Sequence, residues 1–311
     1  MREVRISIIN TRRGVIVQDD ATVISRVKER IARAGRDKAD LILLPEVFGN
    51  SLVEKWTTAE LARISQTVPG PIFEELAPLA RKYRTYIAFG LFRRSGKTLY
   101  NSLLLLNRQG KHVWTFDKIT PTLYEMNAGV KPGREFNSYL CDFGRIGGAI
   151  CFDINFLELA EIYLKQATEL ILFSSVFPGG RLLDVWAVRY GFNVAASTWY
   201  DYNRIIDCAG RTVGQTSDFL PTATYTLNLN RRLVHMDKNL ERIEAMQKKY
   251  PGDVLLEDLR LEAFCIITSL RKGLEVSELI REFKIITLYQ YFERSRKVRA
   301  KMGGMSYTIK T

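Results

Sequence analysis

Gly147-Gly148-Ala149-Ile150-Cys151-Phe152-Asp153 is the stretch on which the reading of this chain turns. Small and apolar residues run into a cysteine, and the residues after it read as a turn. The segment is thus a buried strand that ends by displaying a thiol, with Gly147-Gly148 supplying the turn that exposes it. Leu41-Ile42-Leu43-Leu44-Pro45-Glu46 follows the same plan with a carboxylate at its end. Its apolarity on both faces is that of a strand covered on both sides. Phe116-Asp117-Lys118 ends a third strand in an amine, with Pro121, Thr122 and Glu125 close behind. A thiol, an ammonium and two carboxylates at strand ends supply a nucleophile with acid–base partners, and they point to an enzyme.

Strand-like and helix-like runs alternate around these segments as far as about residue 228. Residues 2–9 alternate at period two, and 20–35 form an amphipathic helix carrying Val23, Ile24, Val27 and Ile31. A helix over 71–84 and strands over 86–92, 101–107 and 113–118 come next. A loop of about 17 residues, 119–135, has the length that usually signals function. The second half repeats the style, with strands over 137–143, 146–151, 169–174, 193–197, 202–207 and 223–228, and helices over 155–166 and 181–191. Many strands with helices in pairs between hairpins predict two sheets packed face to face with helices outside. Beyond residue 230 the texture changes to charged helices over about 237–249, 254–271, 275–283 and 285–300. The expected division is a catalytic domain over 1–230 and a helical C-terminal extension over 231–311, acting as an oligomerisation arm.

Composition narrows the function classes. The chain has 311 residues, 46% of them hydrophobic, enough for a large core. No stretch of about 18 apolar residues is present to span a membrane. Cys141, Cys151, Cys208 and Cys265 are far apart, with no neighbouring histidines, so neither a metal nor a cofactor is expected and a cytoplasmic setting fits. The net charge of +12 divides equally between residues 1–225 and 226–311, which is the signature of a solvated surface. Its densest stretch is Arg294, Arg296, Lys297, Arg299 and Lys301. The helix pair over 276–299 has a loose helix-turn-helix outline, but such pairs far more often pack a core or a second subunit than read DNA.

A cysteine nucleophile needs a base. The two histidines, His112 in a basic turn and His235 at the start of the extension, read as surface residues. Glu46, directly behind an apolar strand, is better placed, because burial can move a carboxylate towards neutral pH. Each residue has an ordinary reading when taken singly: Cys151 a small core residue, Lys118 a solvated strand end, Glu125 an exposed loop residue, and Asp153 the cap of the helix that follows. The ensemble and its spacing carry the weight.

That ensemble resembles the nitrilase, or carbon–nitrogen hydrolase, superfamily. Leu43-Leu44-Pro45-Glu46, then Lys118-Ile119-Thr120-Pro121-Thr122-Leu123-Tyr124-Glu125, then Gly147 to Asp153 match its motifs in order and approximate separation, over about residues 2–228. The resemblance implies a four-layer α-β-β-α sandwich that pairs into homodimers or higher oligomers through its helices. It implies thiol-mediated hydrolysis of a non-peptide C–N bond, with Glu46 as base, Cys151 as nucleophile, Lys118 and the Phe152 backbone N–H as oxyanion donors, and Glu125 placing substrate. Small-molecule amides, nitriles and N-carbamoyl compounds are the implied substrate classes. The segment from Cys151 to Glu158 resembles the amidase branches while the Lys-x-x-Pro-Thr-x-x-Glu pattern is nitrilase-like, and an amide is favoured; Asn155 and Leu157 replace an arginine and a proline of those branches, which argues against a substrate carboxylate at that point. Tyr124, Phe177, Trp199 and Tyr200 lie in loops after strands and are the expected pocket aromatics. An inactive scaffold, or a nucleic-acid-binding protein acting through the basic extension, is the rival from another class.

Overall fold

The computed structural model describes residues 2–11, 20–49, 57–200 and 202–305. β1 (Glu3–Ile9), β2 (Leu41–Leu43), β3 (Tyr86–Ser95), β4 (Thr98–Leu106) and β5 (His112–Asp117) lie side by side in chain order. β12 (Thr222–Asn228) joins them antiparallel on the outer side of β1. The second sheet runs from β6 (Ser138–Cys141) through β7 (Gly144–Ile150), β8 (Leu170–Ser175), β9 (Asn193–Thr198) and β10 (Arg204–Ile206) to β11 (Thr212–Gln215). Each sheet has a parallel centre, β1-β2-β3 in one and β7-β8-β9 in the other.

The alternation along β2 shows why the layers stack. Leu41 and Leu43 join a buried cluster with Ile6 and Ile8 of β1, Leu103 of β4 and Ala149, Ile171 and Ala195 of the facing sheet. Ile42 and Leu44 turn the other way, onto Val23, Val27 and Ile31 of α1 (Asp20–Arg36) and Ile72, Leu76 and Ala80 of α3 (Pro71–Tyr83). Period-two alternation thus feeds two cores at once. On the far side, α5 (Leu157–Lys165) and α6 (Arg181–Tyr190) contribute Leu159, Tyr163, Leu183 and Trp186. The result is the expected α-β-β-α sandwich. Hydroxyls join the layers as well: Ser174 Oγ donates to the Leu44 carbonyl at 3.1 Å, and Ser197 Oγ to the Ile9 carbonyl at 2.6 Å.

Some elements differ from the periodicity reading. α2 (Thr58–Ile64) and β11 are additional, and the 119–135 loop contains a short helix, α4 (Leu123–Asn127). The extension carries helices α7 (Leu240–Lys249), α8 (Val276–Glu282) and α9 (Leu288–Lys301), but the helix expected over 254–271 is not one of them. That stretch is a hairpin of β14 (Val254–Leu259) and β15 (Phe264–Ser269), which with β13 (Arg231–His235) forms a third antiparallel sheet. Phe264-Cys265-Ile266-Ile267-Thr268 is an aromatic and β-branched run of the kind that favours strands, and Ala263, at φ +60°, turns the chain back. The two-helix outline serves packing: Val276, Leu279 and Ile285 are buried against Cys265 and Ile267.

The extension rests on its own sandwich. Leu233, Phe264, Ile266 and Leu288 bury Cys208 and pack on Leu164 and Ala209. Arg296 pairs with Glu161 of α5, and the Arg189 guanidinium of α6 lies 4.2 Å from the centre of the Phe292 ring. Ending the chain at Asn230 is therefore expected to uncover an apolar face on β10–β11 and α5, lowering the thermal midpoint and promoting aggregation. A truncated chain with the parent's midpoint and solubility would show that the extension is dispensable for the sandwich. No helix among the described residues is long and apolar enough to cross a membrane.

Candidate active site

Glu46, Lys118, Glu125 and Cys151 come from three strand ends and one loop, and two close approaches bring them together. A Cβ on Gly148 would sit 2.7 Å from the Phe116 ring, so only glycine lets β7 lie this near β5, two residues before Lys118. A Cβ on Gly90 would sit 2.7 Å from the Glu46 Cα, so β3 passes directly beneath the candidate base. Gly147 and Gly148 belong to the strand rather than to a turn, and the turn falls on Cys151 itself, at φ +50°. Val47, next to Glu46, also has a positive φ, +41°, which is a true outlier for a β-branched residue. Left-handed backbone costs about 1–2 kcal/mol per residue. Such strain gathers where the surroundings over-determine a conformation, and functional sites are common among those places.

Lys118, buried to 1% exposure, donates to Glu46 Oε1 at 2.9 Å and to Glu125 Oε2 at 2.8 Å. Burial alone would push the ammonium down, but Glu46, Glu125 and Cys151 outweigh it and hold it above its ordinary value. Glu46 Oε2 accepts from the Val176 backbone N–H at 2.9 Å, and the Trp199 indole donates to the Glu46 carbonyl at 2.6 Å. Glu125 opens α4 in a capping box: its N–H reaches Thr122 Oγ1 at 3.3 Å while its Oε2 accepts from the Thr122 N–H at 2.7 Å. The Thr-x-x-Glu spacing therefore has a local cause, since each residue satisfies the other's free N–H at a helix start. The same bonds aim the carboxylate at Lys118.

The Cys151 thiol is near enough to Glu46, Lys118 and Ser175 for all three to bear on its titration. Burial, and then the Glu46 charge, push it up to about 12 against the pull of Lys118 and Ser175. It rests as a thiol, and a base must take its proton during reaction. Asp153 does not cap α5. It lies within the turn of residues 151–155, where its carboxylate accepts the Ile150 N–H at 3.0 Å and the Thr120 N–H at 2.7 Å, tying the cysteine turn to the lysine loop. Burial pushes this carboxyl up to about 7, although Lys118 and the backbone N–H groups pull the other way.

The aromatic residues divide. Trp199 holds the backbone of Glu46, and Phe152 is partly exposed beside Cys151 with its ring edge-on to Phe156. Phe177 packs edge-on to Phe173, while Tyr124 and Tyr200 are exposed. Neither histidine takes part: His112 bonds the Trp114 carbonyl and Thr115, and the His235 ring stacks on Tyr291 in the extension. Asn101 and Ser175 were missed by the sequence reading. Both are polar residues interrupting apolar strand runs, Leu99-Tyr100-Asn101 and Leu172-Phe173-Ser174-Ser175, and that interruption is the signal that could have found them.

Known proteins resemble this chain in sequence and in fold. The zebrafish (Danio rerio) omega-amidase NIT2 is 23% identical over 57% of this chain and 65% of its own length. The bifunctional nitrilase/nitrile hydratase NIT4B of Nicotiana tabacum is 29% identical over 45% of each. The chain thus spans less than two thirds of the length of these curated relatives. Among solved structures, an amidase from Nesterenkonia sp. superposes with a TM-score of 0.61 at 19% identity, over 78% of this chain and 95% of that one. Nit3 of Saccharomyces cerevisiae, a nitrilase-superfamily member, gives 0.62 at 18% identity, over 83% and 97%. The sequence profile of the carbon-nitrogen hydrolase family matches residues 6–229, which hold all four polar groups of the site and the sandwich from within β1 to the end of β12. The chain belongs to the carbon-nitrogen hydrolase family.

Proposed function

We propose that this protein hydrolyses a small-molecule amide through a thioester on Cys151 and releases ammonia. The observation that carries the reading is a thiol displayed on a left-handed turn within reach of a buried carboxylate that is itself paired to a buried ammonium. Glu46 takes the Cys151 proton as sulfur attacks the amide carbon. The oxyanion forms between the Lys118 ammonium and the Phe152 backbone N–H, and preorganised donors of this kind supply a large share of catalysis in water-excluded sites. Glu125 orients the substrate nitrogen. The C–N bond breaks as Glu46 returns its proton to the leaving ammonia. Water then attacks the thioester, Glu46 takes one proton from it, and the acid departs with the thiol restored.

Asn155 supports an amide without a carboxylate gripped at that position: its Nδ2 is engaged by the Phe152 carbonyl at 2.9 Å, and it carries no charge. Ammonia release measured over a panel of amides, nitriles and N-carbamoyl compounds, against a Cys151→Ala control, tests both reaction and class. Preference for nitriles would move the chain to the other reading that its Lys-x-x-Pro-Thr-x-x-Glu spacing allows.

The thiol makes a prediction of its own. Because its titration lies near 12, the rate at which iodoacetamide alkylates native Cys151 should still be climbing at about pH 10, whereas an ordinary thiol levels off near 8.5–9. A plateau below pH 8 would mean a resting thiolate and would remove the need for Glu46. Cys141, Cys208 and Cys265 are all more deeply buried and should label later.

A homo-oligomer, with residues 231–311 as an arm, belongs to the same proposal. Leu157 of α5 and Leu182 and Val185 of α6 stand exposed on the outer helix layer, and Met302 and Met305 follow α9. Four free cysteines support a reducing, cytoplasmic setting.

A further inference from the structure

Lys118 has a neutral companion in bridging the two carboxylates. Asn101, fully buried on β4, donates from Nδ2 to Glu46 Oε1 and to Glu125 Oε1, each at 2.6 Å. Both N–H groups of the amide are thereby used, and Glu46, Lys118, Glu125 and Asn101 close into a ring of four hydrogen bonds. Asn101 Oδ1, in contrast, is buried with no hydrogen-bond partner. Leaving such an acceptor unpaired costs about 1–3 kcal/mol, and an unsatisfied group in a native fold calls for a reason.

Turning the amide over gives no relief, because it would press Oδ1 against two carboxylate oxygens. A strand residue present only to fill space would be apolar at this position, as Leu99 and Leu103, two residues to either side on the same strand face, are. The side chain is therefore oriented by the carboxylates, at the expense of its own oxygen. The charges show what this achieves. Glu46 and Glu125 together bring two negative charges into a dry site, and Lys118 supplies one positive charge. Two further N–H donors hold both carboxylates in place without adding a second cation to the site.

Resting on the hydrolase reading, we infer that Asn101 is a positioning residue that fixes the rotation of Glu46 and Glu125. Glu46 is then held by donors from three directions: Asn101 on β4, Lys118 after β5 and the Val176 N–H after β8. That leaves its carboxylate no freedom to swing away from Cys151. Holding reacting groups within a fraction of an ångström is worth orders of magnitude in rate.

The test compares Asn101→Ser, Asn101→Ala and Asn101→Asp in the full chain. Alanine and aspartate should each lower kcat about 100-fold with KM within about threefold, the signature of a group acting on the reaction rather than on binding. Serine, close to alanine in volume but keeping one O–H donor, should retain about tenfold more kcat than alanine. Equal losses in serine and alanine would reduce Asn101 to a space-filling residue and overturn the inference, as would near wild-type kcat in Asn101→Asp. If Asn101→Asp does not fold, the two neutral variants decide. Should the wild type turn over no amide, nitrile or carbamoyl compound, the hydrolase reading fails on its own. The inference is then read from iodoacetamide alkylation of Cys151 at neutral pH: faster reaction in serine than in alanine supports it, and equal rates overturn it.

Discussion

Lys118→Met is expected to abolish measurable turnover and to destabilise the fold in the same step. Methionine matches the lysine stem closely, so the change removes one charge and little volume. It leaves Glu46 and Glu125, both at most 1% exposed, facing each other with no cation between them. Removing one partner of a buried ion pair typically costs about 3–5 kcal/mol, because the remaining charge is uncompensated. Loss of an oxyanion donor adds about 10²–10³ in kcat. Thermal and denaturant unfolding should register the first effect and ammonia release the second. The sign with pH follows from the raised titration of the lysine. Its contribution to stability is complete below its ordinary value of 10.5 and is lost only as pH rises beyond that, so the gap between wild type and variant should be level between about pH 7 and 9. A variant as stable as the parent would mean that the carboxylates are not both charged in the resting protein.

Glu46→Gln separates chemistry from stability. Glutamine keeps the shape, and its oxygen can still accept from Lys118 and Asn101, while the Val176 N–H, which bonds the other oxygen of Glu46, loses its acceptor, so the fold should survive with a modest loss. It cannot take a proton from a thiol that titrates near 12. The expected fall in kcat is about 10²–10⁴-fold, the usual share of a general base. Both half-reactions need the base, so formation of the thioester should slow as well as its hydrolysis; rapid mixing with an activated ester and direct mass measurement of the acylated chain distinguish the two. Wild-type turnover in Glu46→Gln would remove Glu46 from the mechanism and leave Lys118 as the sole activating group.

The sandwich was legible because period-two and period-3.6 patterns are local, and β2 with the Leu44 that follows it states the architecture in four residues. Leu41 and Leu43 face one core and Ile42 and Leu44 the other, which requires layers on both sides. Glu46, Lys118 and Cys151 were legible for a related reason: each stands at or just past a strand end, where side chains leave the core, and Glu125 follows in the loop after β5. The 254–271 segment was misjudged because Val254-Leu255-Leu256 and Leu259-Arg260-Leu261 fit helical spacing as well as a strand. The choice was made by the partner strand β13, which pairs with β15 through Val234 and Cys265.

The sequence by itself determined the two-sided strands, the order of the four polar groups and the family to which they belong. Each of these is written in short local segments or in their order along the chain. Only the tertiary structure decided what those groups touch. Asn101 lies 55 residues from Glu46 in sequence and Val176 lies 130, yet both hold its carboxylate, and Gly148 earns its place only because Phe116 of the other sheet presses on it. Such contacts are set by the packing of one sheet on the other, and local periodicity carries no record of which residues meet across that interface.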